Sequence, residues 1–384
     1  MLSNNYEIIK KYSIKEFNKE QWDRCNINGN IFLCYNFLLS LEQSNSVCVD
    51  KGWSPIYFGV IKKSTLIAVI PSFIKSHSQG EFVFDHAWAQ AYNNLGLQYY
   101  PKLLVASPFT PVSGLRILIN PDEESKELKI KLIDYIKNYC VEKNISSIHI
   151  NFFDTSELDT FKGLGFTIRY GEQFHFTNQN YKNFNDFLDR LNYKSRKKII
   201  KERKSLINKD ICIDIISKKD INKKICEYMY EFYMSTIQKK WSYNYLSKDF
   251  FLNIPKYLSN NTIIITAKYK KDIIAGALNF ISNNKLYGRY WGSFVEIPNL
   301  HFEVCYYKAI EIAIKNKYYT VEAGAQGAHK IKRGYLPKIT YSAHFIFNKS
   351  LKNAINNFVK DEKNAILNEV NYINENYSPY KNIS

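Results

Sequence analysis

No hydrophobic run in the 384 residues approaches the roughly 18 needed to cross a bilayer. The opening stretch MLSNNYEIIKKYSIKEF also lacks the continuous apolar core of a signal peptide. Both absences predict a soluble, cytoplasmic protein. The seven cysteines, at 25, 34, 48, 140, 212, 226 and 305, are odd in number and never form C-x-x-C, which argues against a disulfide framework or a structural zinc site. The seven histidines never fall at H-x-x-x-H or H-E-x-x-H spacing, so no metal is expected. Arginine is scarce as well: of 53 basic residues 8 are Arg and 45 are Lys. With abundant Asn, Ile and Tyr, this is the residue usage of an A+T-rich coding sequence, and part of the net charge of +17 is compositional. The remainder still favours a polyanionic partner such as a nucleic acid. Against that background Arg116, Arg169, Arg196, Arg203, Arg289 and Arg333 stand out.

The length exceeds what one core usually fills, so two domains are expected, cut at 1–178 and 179–384. A repeat supports the cut. IYFGVIKKSTLIAVIPSFI (56–74) and IIITAKYKKDIIAGALNFI (263–281) align without a gap, each as a hairpin with a lysine-containing turn. An aromatic-rich strand is expected after each, EFVFD (81–85) and KLYGRYWG (285–292). Amphipathic helices follow at 126–143 and 303–317, then strands at 146–153 and 318–325. GFTIRYGEQFHF (165–176) and GYLPKITYSAHF (334–345) close the halves alike. The shared order points to a duplication and to an α+β fold, each half a twisted, mixed and mostly antiparallel sheet with packed helices.

The halves differ in one loop. VEAGAQGAHKIKRGYLPK (321–338) carries glycines at 324, 327 and 334 among four basic residues, where the first half has the plain LDTFKGLGF (158–166). Such a loop either holds a phosphate on backbone N–H groups and cations or is a tight turn on a basic surface; the asymmetry favours the ligand. Gly324 and Gly327 would let the backbone approach, Lys332 and Arg333 would supply charge, and Gln326 and His329 polar contacts. Arg289 and Tyr290 would line the acceptor side of a cleft between the domains. Glu303, opening a helix, is the preferred proton acceptor, against the plain reading of an acid in a first helical turn. His301 reads as a packing residue, Glu322 as either a paired buried carboxylate or a solvated one, and Asp85 as a cleft residue or a turn cap. A Cys305–His301 thiolate pair at i, i+4 is a weaker rival chemistry. A second basic element at 192–209 would present Lys194, Arg196, Lys197, Lys198, Lys201 and Lys204, with Ile199, Ile200, Leu206 and Ile207 as its inward stripe.

The motifs KSHSQGEFVFDHAWA (75–89), YYPKLLVASPFTP (99–111), LYGRYWG (286–292), LHFEVCYY (300–307) and GAQGAHKIKRGY (324–335) resemble, over nearly the whole chain, the bacterial peptidoglycan biosynthesis or recognition proteins of the GNAT acyltransferase superfamily. HKIKRGYLP (329–337) is similar, more distantly, to the closing motif of Fem-type peptidyltransferases, with Lys332 on the family lysine and Gly334–Tyr335 on the Gly-aromatic pair. The resemblance implies two tandem GNAT-like domains and N-acyl or aminoacyl transfer to an amine, on a small molecule or cell-envelope precursor, with Lys332 in a catalytic place beside Glu303. GNAT enzymes usually bind the CoA pyrophosphate on a Gly-rich strand-to-helix turn, which neither 112–129 nor 291–307 supplies. No tightly bound cofactor is expected, and acyl-CoA and aminoacyl-tRNA both remain as donors; tRNA suits the basic helix. The alternative is an RNA-binding or recognition module that kept the fold without the chemistry.

Overall fold

The computed structural model describes residues 6–123, 125–207, 209–324 and 327–381. Two compact units emerge: Met1–Gly171 with Ile339–Leu367, and Glu172–Lys338 with Asn368–Ser384. This division differs from a single cut after residue 178, because the chain returns to the first unit after residue 338.

In the first unit β1 (Tyr6–Lys11), β2 (Trp53–Lys62), β3 (Thr65–Lys75) and β4 (Lys102–Val105) pair antiparallel in that order. The two-residue β5 (Leu118–Ile119) also pairs with β3. β4 then pairs parallel with β6 (Ser147–Asn151). The hairpin β2–β3 turns on Lys63 and Ser64, both at positive φ, as a two-residue turn matched to strand twist requires. The helix α1 (His86–Asn94) follows β3, and the helix α2 (Lys126–Glu142) buries Leu128, Leu132, Ile133 and Ile136 in the unit's apolar core. The expected strand 81–85 does not form. Gly80 and Phe82 take positive φ, and Glu81 and Asp85 both turn to the buried ammonium of Lys102. Neutralising a buried cation outweighs the alternating pattern that suggested a strand.

The second unit repeats the order. β8 (Ile211–Ser217), β9 (Thr262–Tyr269), β10 (Asp272–Ser282) and β11 (Lys285–Ser293) pair antiparallel, and β11 pairs parallel with β12 (Thr320–Glu322). Asn283 and Asn284, both at positive φ, make the β10–β11 turn. The last strands are exchanged between halves. The end of β7 (Thr167–Thr177), from the first half, pairs with β12, whereas the end of β13 (Leu336–Ile346) pairs with β6. Both final pairings are antiparallel. The two closing strands are alike in sequence, but each completes the other half's sheet.

Two helices of the second unit pack beside its sheet and the loop that follows β12. The helix α3 (Tyr193–Ile207) buries Ser195, Ile199, Glu202 and Leu206; Ile207, expected inward, is 71% exposed. The helix α4 (Lys223–Lys240) lies so close to β11 that a Cβ on Gly292 would stand 1.7 Å from the Phe232 carbonyl oxygen. Backbone meets backbone there and no rotamer can relieve it. Gly292→Ala is expected to destabilise the protein by about 3 kcal/mol, the upper end of overpacking costs. Gly163→Ala, whose Cβ would meet nothing within 4 Å, should leave the denaturation midpoint unchanged or slightly raised. Equal midpoints for the two variants would refute the close packing.

Candidate active site

β11 and β12 pair over only three positions, from Lys285↔Thr320 to Tyr287↔Glu322. β12 ends there while β11 continues to Ser293, so the two parallel strands part. After the parting the chain passes Gly324 and Gly327, at φ of 82° and 123°, and enters the 3-10 turn Ala328–Arg333. Backbone of this kind is open to glycine and strained for other residues. At Gly327 a Cβ would also strike the His329 ring, 2.5 Å away.

Charged side chains from three strands and the loop gather at this point. Glu322 is 1% exposed; its carboxylate lies 3.4 Å from Lys285 Nζ, 3.9 Å from Arg289 and 4.0 Å from His175 Nε2. Its Oε2 accepts no hydrogen bond among the described residues. The Arg289 side chain is 4% exposed. Lys330 is buried and donates from Nζ to the Gly324 carbonyl at 2.9 Å. Burial, and then the charge of Arg289, bring the Lys330 ammonium down to about 8. Burial likewise lowers His175, with Glu322 opposing it. Lys285 and Arg289 thus share the Glu322 carboxylate, and the Lys330 ammonium stands within electrostatic reach of Arg289, a concentration of positive charge suited to an anionic ligand or a developing oxyanion.

His329 is exposed at the loop's outer side, with its Nε2 2.9 Å from the Tyr306 hydroxyl. Burial and the neighbouring Arg333 lower its proton affinity, which favours a neutral imidazole. Lys332, the expected catalytic lysine, is exposed, whereas Lys330, two residues earlier, is the one turned inward.

Arg333 does not present a free cation. Its guanidinium donates to Glu202 at 3.2 and 2.7 Å and to the His329 carbonyl at 2.6 Å, and lies 3.4 Å from the centre of the Phe302 ring. Tyr307 also donates to Glu202. The arrangement fixes the loop to α3, so the phosphate role expected of Arg333 gives way to a structural one. Glu303 is similarly engaged: Arg203 donates to both its oxygens at 3.0 and 2.9 Å and is itself 2.7 Å from Glu311. A carboxylate held this way is a poor general base. Glu303 opens a π-helical turn to Tyr307, ahead of the helix α5 (Lys308–Lys315).

The remaining candidates are dispersed. Burial pushes the Cys305 thiol well up and brings His301 down to about 4, which leaves no thiolate–imidazolium pair. Tyr290 packs edge-on against Tyr233, with ring centres 5.3 Å apart. Lys194 and Arg196 are exposed on α3, and Arg196 pairs with Asp189 at 2.7 Å. Gln326 lies outside the described residues. Asp85 belongs to the first unit, in a buried network where Lys102 joins Asp85 and Glu81 and the Tyr99 hydroxyl donates to Asp85 at 2.5 Å. That network continues through His149 to His344, whose Nδ1 atoms stand 2.7 Å apart. Neither Lys330 nor Glu202, both buried at the loop, was singled out from the sequence. Glu202 was accessible, since it stands three residues after Ile199 and four before Leu206 on the inward face.

Among the described residues no group of His, Cys, Asp and Glu could hold a metal ion, and no helix is long and apolar enough to cross a membrane. The α+β fold expected from the sequence is shared with solved structures. FemX aligns with 91% of this chain and 100% of its own at 13% identity, TM-score 0.54. The L-PGS structure from Bacillus licheniformis aligns at 10% identity, covering 84% of this chain and 94% of its own, TM-score 0.51. The C-terminal domain of a putative lysylphosphatidylglycerol synthetase from Agrobacterium fabrum covers 88% and 96% at 8% identity, TM-score 0.54. At these identities the likeness establishes the fold. No curated protein sequence matches the chain. The FemAB-like family, described as peptidoglycan biosynthesis/recognition, matches residues 13–382. With almost every residue inside that match, the chain belongs to the FemAB-like family.

Proposed function

We propose that the protein transfers an acyl or aminoacyl group to an amine of a cell-envelope precursor, at the parting of β11 and β12. The observation that carries this reading is the pair of buried cations, Arg289 and Lys330, where the strands separate beside a glycine loop. The acceptor amine attacks the donor carbonyl, and Arg289 and the Lys330 ammonium stabilise the oxyanion of the tetrahedral intermediate. Neutral His329, steadied by Tyr306, takes the proton lost by the amine. Exposed Lys332 meets the donor's phosphates, whether those of CoA or of tRNA. Transfer should fall as pH rises through about 8, because Lys330 loses its proton there. A rate that keeps rising to pH 10 would remove Lys330 from this role.

The direct assay offers radiolabelled aminoacyl-tRNA or acyl-CoA with a nucleotide-linked muropeptide precursor as acceptor. Label is expected on the precursor amine from one of the two donors. Arg289→Gln should reduce it about a hundredfold, the scale of a lost oxyanion donor, while circular dichroism stays native. No label on any amine from either donor would sink the proposal. The exposed cations of α3 favour the rival reading of binding without chemistry, and RNA retained in a gel shift by a protein that transfers nothing would establish it.

A further inference from the structure

The helix α3 also carries apolar side chains outside its buried face. Tyr193 and Ile207, about four turns apart, form a sparse apolar stripe on one side of the helix, away from the buried Ser195, Ile199, Glu202 and Leu206, while Ile200 between them is partly buried and packs against the unit's core. Tyr193 is 74% and Ile207 71% exposed. Cations flank the stripe. Arg196, Lys197, Lys201 and Lys204, with Tyr193, Ile200 and Ser205, line an open groove of about 700 Å³ along the helix. Lys197, Lys201 and Lys204 are exposed and form no ion pair among the described residues. Lys197 lies over the Tyr193 ring, 5.7 Å from its centre.

We infer that this face is a docking surface for an anionic phospholipid bilayer. An apolar stripe bordered by lysines is the pattern of a helix lying in the plane of a membrane interface. The ammonium groups reach the headgroup phosphates, and Tyr193 and Ile207 enter the acyl boundary. Nucleic acid meets only half of the pattern. Phosphates satisfy the lysines, but a duplex offers nothing to the exposed Ile207, and a single strand would find one aromatic ring, Tyr193, for stacking. Charge complementarity and the apolar stripe together therefore select the lipid surface. Docking of this kind would hold the chain at the membrane without a spanning helix, and it stands or falls apart from any transfer chemistry.

The test is co-flotation of the full chain with vesicles, at about 0.1 M salt, of pure phosphatidylcholine or with roughly a third phosphatidylglycerol. Binding to the anionic vesicles alone is expected. Lys197→Gln, Lys201→Gln and Lys204→Gln combined should weaken it on the order of a hundredfold, at about fivefold per cation near an anionic surface. Tyr193→Ser with Ile207→Ser should weaken it about tenfold while leaving retention of bulk tRNA unchanged. All five side chains are exposed, so native circular dichroism is expected of both variants. Failure of the wild-type chain to float with anionic vesicles would overturn the inference, as would undiminished flotation of the serine variant. tRNA binding lost with the lysines, in a chain that never floats, would assign the face to nucleic acid instead.

Discussion

Lys330→Met is expected to abolish transfer and, at the same time, to make the protein more stable. Lys330 is 2% exposed and donates to the Gly324 carbonyl. Its ammonium is lowered from the ordinary value of 10.5 to about 8, so at neutral pH the folded chain buries a charge the unfolded chain would hydrate. The sign of the linkage follows. Between about 8 and 10.5 the unfolded state binds more protons, and stability rises with pH; below 8 the burial cost is present in full. Methionine keeps the aliphatic volume and removes the charge, for an expected gain of about 1–3 kcal/mol at pH 7. The gain should shrink toward pH 10, where the wild-type lysine is neutral as well. Gly324 is partly exposed, so water can replace the lost donor. Denaturant midpoints at pH 6.5, 7.5 and 9.5 would check this, beside transfer rates at pH 7.5. Lower stability at every pH, with activity falling only as the folded fraction falls, would make Lys330 a structural residue.

How far the sequence carried depends on the range of the forces involved. Both hairpins were legible because a two-residue turn and its flanking strands are local. The helix at 126–142 was legible from its apolar spacing, and α3 from its length of charged and apolar residues at helical period. EFVFD was misread because its fate depends on Lys102, seventeen residues beyond Asp85. The exchange of β7 and β13 was not legible either. Either closing strand offers the same alternation to either sheet, and the choice is made by tertiary pairing. At the candidate site, the loop and Arg289 were named from the sequence, whereas Lys330, the lysine that is turned inward, was not. In HKIKR the two lysines flank Ile331, and in a 3-10 turn, unlike a strand, residues two apart point in different directions. Arg333 and Glu303 were singled out for chemistry. Their partners, Glu202 and Arg203, are about a hundred or more residues away, and those partners turn both from chemistry to structure.

Glu202→Ala is expected to cost about 3–5 kcal/mol, the scale on which one member of a buried ion pair is removed. Two groups lose their acceptor together: Arg333, itself 2% exposed, and the Tyr307 hydroxyl. The Arg333 guanidinium would still have the His329 carbonyl and the face of Phe302, neither of which neutralises its charge. Because the same guanidinium fixes the 3-10 turn that carries Lys330, transfer should fall further than the folded fraction does. A second variant separates support from ligand binding. Glu202→Leu combined with Arg333→Met removes both charges and keeps the volume, and such exchanges are often neutral or stabilising. If Arg333 only supports the loop, the double variant should regain most of the stability lost in Glu202→Ala, and most of the transfer with it. If Arg333 meets a donor phosphate, the double variant should be as stable as the wild type yet bind donor ten- to a hundredfold more weakly, the effect of losing one charge-assisted hydrogen bond. Thermal midpoints and donor affinity measured on the three proteins distinguish these outcomes. The geometry favours the first, since all three donating nitrogens of Arg333 already have acceptors inside the chain.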